Sequence, residues 1–448
     1  MYGKPGALEK GSAVAVRVTS ESTTVGEHSV FFNRGVAGSQ AYARKFGNKK
    51  PDEVADRKAY QWLSRGLEEA IHDFIAQAEN KNHTLLAAVY EFNYLPVLES
   101  FKKADERGAK VHIVYDNRGK RSPGEATAKA VVEAGIEHLV STRTQQSYLS
   151  HNKFIIFMEN DQPMAVWTGS TNFTAGGIFG QSNVGHWVRN PDIAQRYYDY
   201  WKRLEADPQT KDLRKGNEAA NIAPPVEPMA DEAFETAFSP RQGLGVLEWY
   251  ADKLDAADRS VFMTAAFGVS KELAKVFEKN KAYLRYLLME KKGKTYSMLT
   301  KDSDVRIALG AVYKRKQTQY MEGVHRMLEE ELTDLNTWVK YVHNKFMLID
   351  PMSDDPLVIS GSANFSKAST QNNDENMLII RGNTQVADIY LGEFMRMFNH
   401  FYYRDVANRQ ASGKQVERES TYLKATDAWT NPYYKEGSVK MKQRLLFA

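Results

Sequence analysis

The chain has 448 residues, too many for one ordinary domain, and its 42% hydrophobic and 11% aromatic content suffices for a sizeable core. It has no cysteine, which excludes disulfides and thiolate metal sites and leads us to expect a reducing, cytoplasmic setting. A net charge of +4 is too mild to argue for nucleic acid by itself, no apolar run is long enough to span a membrane, and the charged start, Met1 to Lys10, carries no export signal.

Residues 1–55 read as an extension packed on the unit that begins at residue 56. Their Gly-rich stretch, Ser29 to Gln40, lacks the spacing of a P-loop and reads as an ordered loop. Apolar periodicity then predicts a helix over 62–78, a strand over 84–90, a helix over 95–107 and a strand over 111–115. A strand carrying His151-Asn152-Lys153-Phe154 comes next, then a strand over 165–168, a turn at Gly169-Ser170-Thr171-Asn172-Phe173 and an aromatic-rich helix over 191–204. Pro208, Pro224, Pro225 and Pro228 mark 207–237 as a linker.

The same order then recurs. Helices are expected over 244–254 and 271–280, and strands over 261–267 and 283–288. His343-Asn344-Lys345-Phe346, a strand over 357–360, Gly361-Ser362-Ala363-Asn364-Phe365 and a helix over 386–403 complete it. In both copies the Gly lies eighteen residues after the His. A long, spaced recurrence signals a duplicated structural unit. The expected divisions are 1–55, 56–206, 207–237, 238–405 and an arm over 406–448 with Trp429, Tyr433 and Tyr434. Strands alternating with helices predict an α/β class with largely parallel sheets.

The repeated residues also share a chemistry. On a strand, His151 and Lys153 point the same way, as do His343 and Lys345. Ser170 and Ser362 are expected to cap helix N-termini, which favour anions. Lys supplies fixed positive charge, and Ser170, Asn172, Ser362 and Asn364 supply neutral hydrogen bonds, a set suited to a phosphoryl group in transfer. One imidazole would attack phosphorus while the other protonates the leaving oxygen. Because two ammonium groups neutralise the phosphate and would repel a cation, neither a metal nor another cofactor is expected. The remaining eight histidines read as structural.

These residues resemble the His-x-Lys and Gly-Ser-x-Asn signature of the phospholipase D superfamily, over roughly 57–405. The resemblance implies two similar α/β sandwich units forming a pseudo-dimer in one chain, with one active site at their interface and no oligomer needed to build it. It also implies His151 as nucleophile and His343 as general acid. The family's Asp five residues after the Lys is present as Asp350. The first copy has Met158 there, with Glu159 or Asp161 as substitutes for its bracing role. An acid downstream of Gly-Ser-x-Asn commonly pairs with a His. Glu375 fills that place in the second half, whereas the first half offers Asn183 without a gap or Gly185 with one. The resemblance suggests that Glu375 reaches across to His151, leaving His343 an amide partner.

The superfamily covers nucleases and phospholipid hydrolases and transferases. Arg118, Lys120 and Arg121, and Lys291, Lys292, Lys294, Lys301, Lys314, Arg315 and Lys316 with interleaved Tyr296, Tyr313 and Tyr320, favour nucleic acid. An Ile178-Phe179 lip and the Trp429 cluster would suit phospholipid, but with no export signal read at the start the expected activity is that of a nucleic-acid phosphodiesterase, a nuclease, and a phospholipase D acting on phospholipid headgroups is the alternative. A third reading is an inactive module that only binds phosphate.

Overall fold

The computed structural model describes residues 23–35, 39–118, 123–144, 148–310, 316–317, 330–331, 341–411 and 426–447. Lys120, Arg121, Tyr313, Lys314, Arg315, Tyr320 and His325 fall outside them, and for Lys316 only the backbone is described.

In chain order the strands are β1 (Thr24–Val25), β2 (His28–Phe32), β3 (His83–Val89), β4 (Lys110–Asp116), β5 (Val140–Arg143), β6 (Lys153–Glu159), β7 (Gln162–Gly169), β8 (Val184–Val188), β9 (Phe234–Ser239), β10 (Ser260–Ala265), β11 (Leu284–Met289) and β12 (Val305–Leu309). A ribbon of β13 (Lys316–Gln317) and β14 (Glu330–Glu331) comes next, then β15 (Phe346–Ile349), β16 (Leu357–Gly361) and β17 (Glu375–Arg381). They form an eight-stranded sheet, β1-β2-β8-β7-β6-β3-β4-β5, and a seven-stranded sheet, β12-β11-β10-β15-β16-β17-β9. The six strands β8-β7-β6-β3-β4-β5 correspond in order to β17-β16-β15-β10-β11-β12, so the repeat in the sequence is a repeated sheet.

Only β3-β4-β5 and β10-β11-β12 are parallel among the described strands. The rest of each sheet is antiparallel, against the expectation of largely parallel sheets. The reason is local: β6 returns directly as β7 through Asn160 and Asp161, both at positive φ (49° and 61°), a tight turn that joins only antiparallel neighbours. The expected helix over 62–78 is two helices, Lys58–Ser64 and Leu67–Ala76, because Arg65 (φ 53°) and Gly66 (φ 92°) are left-handed. The final helix of the second half runs over Thr384–Ala411, beyond the expected end at 403.

Two segments read as connections are strands. β2, from the N-terminal extension, pairs with β8; β9, from the proline-marked stretch, pairs with β17. They take equivalent places in the two sheets. The same stretch also holds a helix, Thr210–Ala220.

Apolar faces of the sheets are covered by helices, and two of these helices join the halves. On the helix Pro191–Glu205, Tyr197 and Tyr200 pack on Phe238 of β9, with ring centroids 5.1 and 4.5 Å apart. On Thr384–Ala411, Tyr390 packs on Phe32 of β2 at 5.3 Å. Each half thereby donates an aromatic helix to the common core. Among the described residues no helix is long and apolar enough to cross a membrane.

Candidate active site

Each His-Asn-Lys-Phe segment enters the central antiparallel strand of its sheet, and its His lies just before the strand begins. A backbone exchange across the halves fixes it there. His151 N–H donates to Asp374 carbonyl and Asp374 N–H to Leu149 carbonyl, both at 2.9 Å. In the other copy His343 N–H donates to Ser182 carbonyl at 3.3 Å and Ser182 N–H to Tyr341 carbonyl at 2.8 Å. Thus each histidine is bound to the residues that lead into the last strand of the opposite unit.

The side chains repeat that exchange. His151 Nδ1 lies 2.8 Å from Glu375 Oε2, and His343 Nδ1 lies 2.8 Å from Asn183 Oδ1. Ser362 hydroxyl donates to Glu375 at 2.8 Å, and Ser170 hydroxyl donates to Asn183 at 2.8 Å. Asn183 Nδ2 donates to Gly177 carbonyl, so its oxygen faces the imidazole and Nδ1 of His343 must carry the proton. A carboxylate imposes the same tautomer on His151. In both rings this leaves Nε2 for chemistry. Gly185 makes no such contact.

Ser170 and Ser362 are not helix caps. Each accepts a backbone N–H from the neighbouring strand, Val184 at 3.1 Å and Asn376 at 3.0 Å, while donating to the partner of a histidine. Ser366, not Ser362, caps the short helix Lys367–Gln371. The preceding glycines have a steric reason. A Cβ on Gly169 would lie 2.3 Å from Val184 carbonyl oxygen, and one on Gly361 2.2 Å from that of Asn376.

Lys153 and Lys345 are buried, and each Nζ donates to the carbonyl of its own His, at 2.6 and 2.5 Å. Their charges converge: both lysines bear on both imidazoles. Burial first, and then the lysines, push both histidines well below their ordinary range while the cradle holds no phosphate. Burial lowers Lys153 to about 8, against the opposing pull of Glu375, Glu91 and Asp116, and holds Lys345 well below its usual value. Burial also lifts Glu375 to about 7, with Lys153 opposing.

The two Asp positions differ as the sequence does. Asp350 accepts the backbone N–H groups of Asp258, Arg259 and Ser260 at 2.9, 2.7 and 2.8 Å and ties off the turn into β10. Met158 is buried among apolar neighbours instead. Neither Glu159 nor Asp161 takes over: Asp161 pairs with Lys110, Glu159 lies by His83, and the turn into β3 is closed by Asn80, which accepts from Asn82 N–H at 2.9 Å.

Sequence reasoning missed several neighbours. Asp116 and Glu290 follow the same strand position in the two halves. They accept the N–H of Ser150 and of Val342, the residues just before the histidines, each at 2.9 Å. Aligning the two halves strand by strand would have found them. Tyr90 packs on His151, with ring centroids 5.0 Å apart and Lys153 over its face. Asn376 donates to Asn152 at 2.8 Å and links the two halves beside Glu375. Asn33 of the N-terminal extension accepts Asn183 N–H at 2.9 Å, so the extension buttresses the partner of His343.

Other expected contacts lie elsewhere. Ile178 and Phe179 form no lip; they are fully buried, with Phe179 against Tyr60 and Tyr94. Arg118 is paired with buried Asp116 at 3.0 Å, and Lys301 with Glu278. Trp429 and Tyr434 are about half exposed.

The family profile described as "Cardiolipin synthase, PLD-like domain" matches twice, over residues 71–205 and 253–398, together more than half of the chain. No curated protein matches. Among solved structures, phosphatidylserine synthase from Haemophilus influenzae Rd KW20 is similar, at 10% identity and a TM-score of 0.51, covering 78% of this chain and 91% of that one. Polyphosphate kinase from Porphyromonas gingivalis has 11% identity and a TM-score of 0.43, covering 71% of this chain and 46% of that one, so this chain spans less than half of its length. Nuc, a phospholipase D family member from Salmonella typhimurium, has 17% identity and a TM-score of 0.28 and covers 38% of this chain and 96% of that one. At such identities the first likeness speaks for the fold and the other two carry no weight. Two profile matches, two equivalent sheets and a site assembled between them place the chain in the phospholipase D superfamily of phosphodiester-acting enzymes.

Proposed function

We propose that the protein cleaves a phosphodiester in two displacements through a phosphohistidine. His151 Nε2 attacks phosphorus, with Glu375 holding its Nδ1–H and stabilising the charge that forms on the ring. His343, as the imidazolium that the negative charge of a bound phosphate favours, gives its Nε2 proton to the leaving oxygen, and then, as the neutral ring, takes one from an incoming hydroxyl as that oxygen displaces phosphorus from His151. Lys153 and Lys345 hold the phosphoryl oxygens by charge, and Asn172 and Asn364 contribute neutral contacts. Ser170, Ser362 and Asn183 position the imidazoles and do not touch the phosphate.

The observation that carries this reading is the crossed pairing, His151 with Glu375 and His343 with Asn183. It gives the two rings unequal partners in one cluster. A carboxylate suits the ring that must become cationic on bonding to phosphorus, and a neutral amide suits the ring that must release a proton. Two complete His-Lys pairs also argue against an inactive phosphate-binding module.

The decisive experiment incubates labelled substrate with the His343→Ala and His151→Ala variants and quenches early. Covalent label is expected on the chain when His343 is missing and none when His151 is missing; label retained without His151 reverses the roles. Turnover of bis-p-nitrophenyl phosphate in EDTA is the companion assay.

Nucleic acid remains a reading with one surviving support, the exposed Lys291, Lys292 and Lys294, with Lys292 over the Tyr296 ring at 4.8 Å. Much of the remaining basic footprint is engaged in ion pairs or lies outside the described residues. Plasmid nicking compared with headgroup release from phosphatidylcholine vesicles separates this reading from the phospholipid one.

A further inference from the structure

Besides Asp116, which is paired with Arg118, the phosphate cradle contains a carboxylate that the two displacements do not use. Glu91 follows β3, and its carbonyl accepts Phe173 N–H at 3.1 Å. Its side chain accepts a hydrogen bond from Asn172 Nδ2, on the Gly-Ser-Thr-Asn turn. Its charge bears on both Lys153 and Lys345. The acid is therefore built into the wall of the site from backbone and side chain together.

A carboxylate beside a phosphate is unfavourable unless it meets something other than the phosphate. Among the described residues the second half has no counterpart. By strand register Phe267 takes the matching place after β10, and it is 59% exposed. The duplication thus supplies charge for phosphate twice and this acid once, which fits a role towards the part of the substrate that is not symmetric.

A second observation points to a ligand on this wall, although both halves share it, since Asn364 Oδ1 is also buried without a partner among the described residues. Asn172 is 4% exposed, one N–H of its Nδ2 donates to Glu91, and its Oδ1 is buried with no partner among the described residues. A buried acceptor left without a donor is costly, and a bound ligand is one way to satisfy it. Glu91 and Asn172 Oδ1 are the acceptors on this wall, and the second N–H of Asn172 Nδ2 is the donor left for a phosphoryl oxygen.

We infer that Glu91 and Asn172 form a subsite for a hydrogen-bond donor on the alcohol esterified to the phosphate, a hydroxyl or an ammonium group as in polyol or amino-alcohol phosphodiesters. This rests on the phosphodiesterase reading and narrows its substrate. An unsubstituted alkyl ester leaves both acceptors unmet. A deoxyribose phosphodiester, whose sugar has no free hydroxyl beside the bridging phosphate, also leaves them unmet.

The test measures binding to the full chain by calorimetry, which does not need turnover. Glycerol 3-phosphate is compared with propyl phosphate, and phosphoethanolamine with ethyl phosphate. At least one donor-bearing ester is expected to bind about tenfold tighter than its alkyl match. Glu91→Leu should bring that ratio to about one. Glu91→Gln keeps an acceptor without charge, so a hydroxyl preference should persist in it and an ammonium preference should vanish. Inorganic phosphate binding to each variant checks that the cradle is intact; if the Leu variant has lost it, the Gln variant and the wild-type ratios decide. Equal affinities in the wild type, or a preference that both substitutions leave in place, would overturn the subsite. Absence of turnover with any diester would instead remove the phosphodiesterase reading and leave the binding ratios to judge the subsite by themselves.

Discussion

Glu375 and Lys153 are displaced in opposite directions by the same cause. Burial raises the carboxyl to about 7 and lowers the ammonium to about 8, because each charged form loses water that its neighbours only partly replace. The working state has Glu375 ionised and Lys153 protonated. It is lost below about pH 7, where Glu375 takes up a proton, and above about pH 8, where Lys153 gives one up. A narrow bell in kcat/KM for bis-p-nitrophenyl phosphate is expected, since that parameter reports groups of the free enzyme. Glu375→Gln should remove the acid limb and lower kcat by about a hundredfold or more, as expected for loss of a group that orients an imidazole. Lys153→Arg should move the alkaline limb upward, because guanidinium stays charged. A profile with unchanged limbs in both variants would show that other groups titrate.

At the scale of elements, the turn that comes after β7 or β16 works by close approach. Both glycines of Gly-Ser-x-Asn let the strand end pass against a neighbouring carbonyl, at distances where no Cβ fits. Gly361→Ala should force β16 away from β17 and move Ser362 off Glu375, costing about 1–3 kcal/mol in denaturant melts. Activity should fall further than stability, because Ser362 directly follows one of the two strands that separate and Glu375 opens the other. Asp350 makes the opposite kind of contribution. Its three backbone partners lie at the far end of β15 from Lys345. Asp350→Ala should therefore destabilise the chain by about 1–3 kcal/mol while leaving kcat of the folded fraction near the wild-type value. A large loss of kcat at full folding would assign Asp350 a part in the chemistry.

The whole molecule is held in register by polar contacts that cross the halves. Arg143, at the end of β5, donates to Asp374 at 3.0 Å, and both side chains are fully buried. Arg143 also reaches Asp207, at the junction between the units, at 2.7 Å. Burial raises Asp374 to about 6, and Arg143 opposes that rise. Breaking one side of such a pair strands a buried charge. Arg143→Met should cost about 3–5 kcal/mol, and adding Asp374→Leu should recover a substantial part of it. Because Asp374 precedes Glu375 and binds His151 through its backbone, the single variant should lose activity before it unfolds; equal loss of both would mean that the pair serves stability alone.

The amino-acid order by itself determined the duplication and the α/β class, because recurrence at constant spacing survives any detail of packing; the convergence of the two His-Lys pairs was implied by the family resemblance and decided by the way the halves pack. It also contained the asymmetry between Glu375 and Asn183, which only needed the halves to be aligned. Strand direction was not legible, since apolar periodicity is the same for parallel and antiparallel neighbours and the deciding turn is two residues, Asn160 and Asp161. Nor were β2 and β9, whose five and six residues carry too little periodicity to separate a strand from an ordered loop. Ser170 and Ser362 look like helix caps in a linear chain; tertiary structure turns them towards the partners of the histidines, because the opposite half brings Nδ1 of each ring within reach of an acceptor that the hydroxyl can share. Asp116 and Glu290 become visible only when the two halves are aligned strand by strand, and Glu91, which has no counterpart among the described residues of the second half, depends on distances across a loop that no local pattern encodes.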